Sequence, residues 1–126
     1  MSVLPSIVSK ALDDREGPAV FTTVNEAGIP NSVYVGFLHK FGEDKLVVAD
    51  NYFDKTRKNV LAGCKGSLLF ITKERKAFQV KGSLDYETTG DVYDDMKNGW
   101  LDAKYPGHAA VVVNVEEVFC GAEQLL

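Results

Sequence analysis

Apolar residues near the start of the chain recur at the spacing of one helix face, which predicts a helix. The repeating positions are Leu4, Ile7, Val8, Ala11 and Leu12. Pro5 suits a first helical turn, and residues 13–17 end the pattern. We expect this helix to lie against the rest of the fold as a lid or brace.

From Pro18 onward the pattern changes to short extended runs rich in valine, threonine and aromatic residues. These runs cover residues 19–24, 32–41, 46–49, 67–72, 77–88, 109–115 and 118–120. Turn residues at 25–30 and 42–44 predict hairpins between the first and second runs and between the second and third. Gly82 predicts a bulge or bend in its strand.

Two helices, a short one and a longer one, are predicted among these strands. Residues 55–62 form one, with Asp54 as N-cap and Gly63 as terminator, and residues 90–104 form the other. Six or seven short, mostly adjacent strands favour an antiparallel barrel, because a parallel sheet needs a crossover helix between nearly every pair of strands. We therefore predict a single, mostly β domain over residues 1–126.

Composition narrows the classes of function. The chain has 126 residues, 14 Lys and Arg against 18 Asp and Glu, a net charge of −4, and 45% hydrophobic residues. These values are typical of a globular domain and argue against a general nucleic-acid binder, which needs a dominant positive face. The first ten residues lack the features of a signal peptide, and no apolar run reaches membrane length. We expect a cytoplasmic protein with neither a membrane nor a nucleic-acid partner.

The sequence offers no recognisable metal or nucleophile motif. Cys64, Cys120, His39 and His108 lack the paired close spacing of structural zinc sites, so no metal site is predicted. No serine or cysteine lies in a Gly-x-Ser-x-Gly type of sequence, which leaves nucleophilic hydrolysis without support. No catalytic residue can be named from these patterns.

The segment 51–59 is the most informative for chemistry, because it places cations and a hydroxyl on the first turn of a predicted helix. Lys55, Thr56 and Arg57 would there complete a pocket for one phosphate group. The alternative is an exposed basic helix face with solvated lysines. The segment is not a P-loop, and no Gly-x-Gly-x-x-Gly occurs in the chain.

Five segments in order carry a resemblance over nearly the whole chain. They are residues 31–36, 48–51, the Lys-Thr-x-x-Asn-Val turn at 55–60, 106–113 and 116–118. With these segments the sequence resembles the FMN-binding split barrels related to pyridoxamine 5'-phosphate oxidase, particularly their small single-domain members. The resemblance implies an all-β dominated fold, a six- to seven-stranded antiparallel Greek-key split barrel with short flanking helices.

The same resemblance implies an FMN site. Backbone groups of the strand at 32–36 would lie beside the flavin ring, residues 49–50 along the ribityl chain and phosphate, and Lys55 with Thr56 at the phosphate. The implied cofactor-binding residues are Ser32, Val33, Tyr34, Val35, Ala49, Asp50, Asn51, Lys55 and Thr56.

Similar proteins form homodimers with a flavin in the groove between subunits, so the resemblance implies that arrangement as well. Trp100 and Tyr105 are candidates for stacking on the ring, with core packing as the alternative. Gln79 is a candidate contact to the flavin of the partner subunit.

The implied function is that of a small oxidoreductase or electron carrier, whose electron partner is unknown. Two alternatives stay open: an F420-binding reductase of the same fold, or a non-catalytic protein that stores or senses flavin. True pyridoxamine phosphate oxidases carry additional arginine and histidine positions near the C-terminus that this sequence lacks, so we expect no vitamin B6 oxidation.

Overall fold

The computed structural model describes residues 3–126, which form a mostly β fold with short helices. The helices are α1 (Ser6–Asp13), α2 (Lys55–Leu61), α3 (Asp91–Asp95) and, directly after α3, a π-helix (Met96–Trp100). The strands are β1 (Ala19–Val24), β2 (Pro30–Val35), β3 (Leu38–Phe41), β4 (Lys45–Asp50), β5 (Lys65–Ile71), β6 (Ala77–Glu87), β7 (Ala109–Cys120) and β8 (Glu123–Gln124).

The strands form one antiparallel sheet in the order β2-β1-β5-β6-β7-β4-β3, with β8 paired to β7. Its two edge strands, β2 and β3, follow each other along the chain and are separated by two residues, Gly36 and Phe37. This short link brings the edges together, so the sheet curls on itself. Among the described residues no ladder joins β2 to β3, and the barrel is split there. The predicted antiparallel split barrel is confirmed, although the described residues form eight strands where six or seven were expected.

Two apolar clusters lie on opposite faces of the sheet at β4 and β7. Leu46 and Val48 of β4 belong to the main core, which α1 also covers with Val8 and Leu12. Alternate residues of β4 and β7 face the other way and pack against α3 and the π-helix; this second cluster comprises Val47, Ala49, Val92, Met96, Leu101, Ala110 and Val112. The end of β4 is therefore held from both sides.

The second predicted strand is wrong in one respect, because residues 32–41 do not form one run. The chain leaves the sheet at Gly36 and Phe37, so that β2 pairs with β1 whereas β3 pairs with β4. Gly36 is the one local signal for this break, but the residues that flank the link, such as Tyr34, Val35 and Leu38, all suit an extended strand.

The predicted pair of final strands is a single strand with a bulge. Lys81 lies opposite Glu117 and Gly82 lies opposite Val115, which leaves Glu116 as the extra residue. Gly82 lacks the Cβ that would lie 1.8 Å from the carbonyl oxygen of Asn114, so the predicted bulge is confirmed with its steric reason.

The two internal helices are shorter than predicted. Gly63, at φ 92°, ends α2 as expected. Asp54 holds the N-cap position but makes no side-chain capping bond, and its carboxylate lies 3.7 Å from Lys58 Nζ instead. The predicted helix over 90–104 stops at Trp100, where the α-helix has already widened into a π-helix.

Candidate functional site

A cleft of about 360 Å³ lies where edge strand β2, the end of β4 and the beginning of α2 meet. It is lined by Asn31, residues 33–37, Ala49, residues 51–56 and Tyr105. Most of this lining is apolar or aromatic, and the charged and hydroxyl groups lie toward α2. A flat apolar molecule with one polar end has the matching character.

One wall of the cleft is the free edge of the sheet. Strand β2 pairs with β1 along one side, and its lining residues border the cleft on the other. An edge strand presents backbone N–H and C=O groups that no neighbouring strand takes up. This wall can therefore exchange hydrogen bonds with a ligand whatever its side chains are.

The polar end of the cleft is formed by α2, which three side-chain contacts tie to three different strands. Asn31 Nδ2 of β2 donates to Thr56 Oγ1 at 2.9 Å. Asn59 Nδ2 donates to Thr23 Oγ1 of β1 at 3.0 Å. The third contact joins Arg57 to Asp50 of β4. These contacts fix the rotation of the helix about its axis and leave Lys55 exposed at the cleft.

Asp50 is the centre of a buried polar network at the end of β4. Its carboxylate is fully buried and accepts from Arg57 Nε at 2.7 Å and from Arg57 Nη2 at 3.0 Å. Tyr86 Oη donates to the same group at 2.6 Å, and the Phe53 N–H donates at 3.0 Å. Each carboxylate oxygen thus accepts two donors, which compensates the buried charge.

This network sets the protonation of its members. Burial would raise the pKa of Asp50, but the donors from Arg57, Tyr86 and Phe53 together lower that pKa below its ordinary value of 3.8. Burial and the bond to Asp50 raise the pKa of the Tyr86 hydroxyl. At neutral pH the carboxylate is therefore ionised and the phenol keeps its proton.

The end of β4 also holds the loop that carries Tyr105. The Asp50 carbonyl accepts the His108 N–H at 2.8 Å, and Asn51 Oδ1 accepts the Gly107 N–H at 3.0 Å. Tyr105 packs against Phe37 with ring centroids 4.5 Å apart. One strand end thus positions both the polar end and an aromatic wall of the cleft.

Seven of the nine predicted cofactor-binding residues line this cleft, and two do not. The seven are Val33, Tyr34, Val35, Ala49, Asn51, Lys55 and Thr56. Ser32 is exposed on β2, and its hydroxyl is 2.8 Å from Thr22 Oγ1 of β1. Asp50 turns its carboxylate away from the cleft into the network above. Arg57, predicted to join the phosphate pocket, is paired with Asp50 instead, because a buried carboxylate needs a cation more than an exposed anion site does.

The remaining candidates are spread over the surface. Tyr105 lines the cleft, whereas Trp100 stacks on His39 with centroids 5.4 Å apart. His108 is exposed beside the loop, and Gln79 lies on β6 away from the cleft.

Sequence reasoning missed three residues that contribute to the cleft: Asn31, Phe37 and Tyr86. Asn31 supports Thr56, Phe37 packs on Tyr105, and Tyr86 donates to Asp50. For Asn31 a signal existed, because it stands two residues before the predicted contact Val33 on the same face of the strand. Tyr86 has no such signal, since it comes from β6, far along the chain.

Comparison with known proteins shows which family model and which relatives this chain matches. A family model described as pyridoxamine 5'-phosphate oxidase matches residues 9–119. MJ0282 of Methanocaldococcus jannaschii is 24% identical over 119 residues, which cover 90% of this chain and 79% of that protein. None of the helices between residues 3 and 126 combines the length and apolar character needed to cross a bilayer.

Solved structures share the fold at low identity. HupZ of Group A Streptococcus superposes with a TM-score of 0.78 at 20% identity, covering 97% of this chain and 94% of that chain. An FMN-binding protein of Syntrophomonas wolfei superposes with a TM-score of 0.76 at 18% identity, covering 88% of this chain and 81% of that one.

Asp50→Asn tests the network. We expect it to lower the free energy of unfolding at pH 7 by about 3 kcal/mol, because Arg57 loses its charged partner while the shape is kept. Since the folded pKa of Asp50 lies below the unfolded value, its contribution is present above about pH 4 and is lost as the pH falls through the folded pKa. Urea unfolding at several pH values should therefore show that the difference in the free energy of unfolding between wild type and variant becomes smaller in acid.

Asp54→Asn is the matched control, because Asp54 is 79% exposed and pairs loosely with Lys58. We expect its stability to stay within about 0.5 kcal/mol of wild type. If the two variants lower the free energy of unfolding equally, or if the loss in Asp50→Asn does not depend on pH, then Asp50 is not the ionised centre of the network.

Proposed function

The chain belongs to the pyridoxamine 5'-phosphate oxidase family, and from this membership and the geometry of the cleft we propose that it binds FMN. The flavin ring lies along β2, and its phosphate lies at Lys55 and Thr56. The FMN-binding protein of Syntrophomonas wolfei, which shares the fold, supports the choice of cofactor.

The observation that carries this proposal is the combination of three surfaces in one cleft. Edge strand β2 offers free backbone groups for the polar edge of a flavin ring. Tyr105 and Phe37 offer aromatic faces for the ring itself. Lys55 and Thr56 offer a cation and a hydroxyl for one phosphate group. The residues present therefore fit FMN.

The Thr56 hydroxyl is suited to such a contact although the residue is 1% exposed. It accepts a hydrogen bond from Asn31, which leaves its own proton free to donate toward the cleft. Asp54 makes no capping bond, so its carboxylate does not occupy the backbone N–H groups of this turn.

We propose that the protein acts as a small oxidoreductase or electron carrier. FMN supplies the electron chemistry when bound, and the chain's own residues bind the phosphate, orient the ring and cover it from water. A cytoplasmic location, expected from the sequence, is part of this proposal.

The proposed assembly is a homodimer that completes the cleft. Across the outer face of the sheet, Tyr34, Val20, Leu69, Gln79 and Phe119 lie side by side in register. Tyr34 is 77% exposed and Leu69 is 42% exposed, so this row is an unusually apolar surface for a sheet. Because Tyr34 also lines the cleft, a second copy packed on the row would extend the cleft wall.

Purified protein should be yellow, with the absorption spectrum of a flavin and with FMN identified by mass spectrometry of the released chromophore. Titration of the chromophore-free protein with FMN and with F420 separates the flavin from the deazaflavin alternative. Reduction by NADH or NADPH with turnover of an acceptor supports an oxidoreductase, whereas tight FMN binding without turnover favours storage or sensing. A protein that binds neither cofactor contradicts the proposal.

Replacing Lys55 by Ala together with Thr56 by Val should weaken FMN binding by about 2 to 4 kcal/mol, roughly 30- to 1,000-fold, because a charge-assisted and a neutral hydrogen bond to phosphate are lost. Fluorescence titration measures the dissociation constant. Riboflavin, which lacks the phosphate, should bind the variant and the wild type equally.

Lys58→Ala is the control for charge, because Lys58 lies one turn further along α2 and does not line the cleft. It should leave FMN affinity within about threefold. If the double variant binds FMN as wild type does, or if Lys58→Ala weakens binding equally, the phosphate does not lie at Lys55 and Thr56.

Leu69→Glu should convert a wild-type dimer into a monomer, because it places a charge in the middle of the apolar row. Analytical ultracentrifugation measures the mass in solution. Leu61→Glu is the matched control, since Leu61 is 63% exposed on α2 and lies outside the row. A wild-type monomer, or a Leu69→Glu dimer, would show that the row is not the interface.

A further inference from the structure

Asp50 is a buried charge next to the cleft that makes no contact with the cleft's interior. It is 0% exposed, and it accepts hydrogen bonds from Arg57, Tyr86 and the Phe53 N–H. Burying a carboxylate costs free energy, and pairing it with a cation at best offsets that cost. A buried ion pair therefore contributes little net stability to the fold. Its position beside the proposed phosphate site indicates a second role.

The two residues held by this carboxylate flank the proposed phosphate contacts along the chain. The Phe53 N–H belongs to the loop before α2, and Arg57 belongs to the first turns of α2. Lys55 stands midway between them, two residues from each, and Thr56 follows it. Because one rigid group fixes both sides, it also fixes the direction in which Lys55 and Thr56 face.

The same carboxylate determines which cation meets the ligand. Arg57 donates two hydrogen bonds to Asp50, and its side chain does not line the cleft. Lys58 lies 3.7 Å from Asp54. Lys55 is the cation of this segment that lines the cleft.

We propose that Asp50 is a positioning residue for phosphate recognition: by holding Arg57 and the Phe53 N–H together, it sets the placement of Lys55 and Thr56 without touching the flavin. This inference rests on the proposed function, since it concerns the phosphate end of the same cleft. It differs from a merely structural role in one measurable respect. A structural role would weaken every ligand of the cleft alike, whereas positioning affects the ligand that carries a phosphate.

The test is the ratio of two dissociation constants, that of riboflavin divided by that of FMN, measured by fluorescence titration of the full chain at neutral pH. In wild type the ratio should be well above one. Asp50→Asn should lower it about tenfold or more, and Tyr86→Phe, which removes one donor to the carboxylate, should lower it about threefold. Riboflavin affinity itself should change by less than about twofold in both variants.

Tyr93→Phe is the matched control, because its hydroxyl donates to the Gly107 carbonyl at 3.4 Å, away from the carboxylate. It should leave the ratio unchanged. If circular dichroism shows that Asp50→Asn does not fold, the test is the comparison of the ratio between Tyr86→Phe and Tyr93→Phe. A lower ratio in Tyr86→Phe alone supports the positioning role.

Three results would overturn the inference. In the first, the ratio is unchanged in the variants, or riboflavin and FMN weaken in parallel, so that Asp50 only stabilises the fold. In the second, the ratio rises in Asp50→Asn, which would mean that a released Arg57 binds phosphate better than the positioned Lys55. In the third, wild type shows no preference for FMN over riboflavin, and then the phosphate site of the proposed function fails as well.

Discussion

The need to compensate one buried carboxylate organises the functional end of this protein. Asp50 ends β4 with both faces of the sheet covered, so its charge has no access to water. The donors that satisfy it come from α2, from the loop before α2 and from β6. Meeting that electrostatic requirement holds α2, the loop before it and the distant strand β6 in one fixed arrangement, and the cleft is bounded by the first two.

The split in the barrel supplies the unpaired strand edge that forms the other wall of the cleft, which the Asp50 network does not provide. Because Gly36 and Phe37 carry the chain from one edge of the sheet to the other, β2 keeps one side without a partner strand. An unpaired edge is ordinarily a hazard for aggregation. Here it borders the cleft, where a flat polar-edged ligand and a second subunit would cover it in the proposed complex.

Residues whose role depends on local pattern were predicted well. The alternation of β1, the turn residues of both hairpins and the bulge at Gly82 all follow from steric and solvation properties of neighbouring residues. Residues whose role depends on a distant partner were predicted poorly. Arg57 was predicted to be a free cation, since nothing in the local pattern pairs it with Asp50, and Tyr86, the other side chain that donates to Asp50, lies in another strand.

The amino-acid sequence by itself determined most of the strands, the antiparallel sheet and the short basic segment with Lys55 and Thr56, because periodicity, turn chemistry and charge are properties of consecutive residues. Tertiary structure alone decided that Ser32 faces outward, that Asp50 supports the cleft from behind and that Asn31 and Phe37 help to form it. The physical reason is that hydrogen-bond partners and exposure are set by strand register and by packing across the sheet, which depend on segments far apart in the chain.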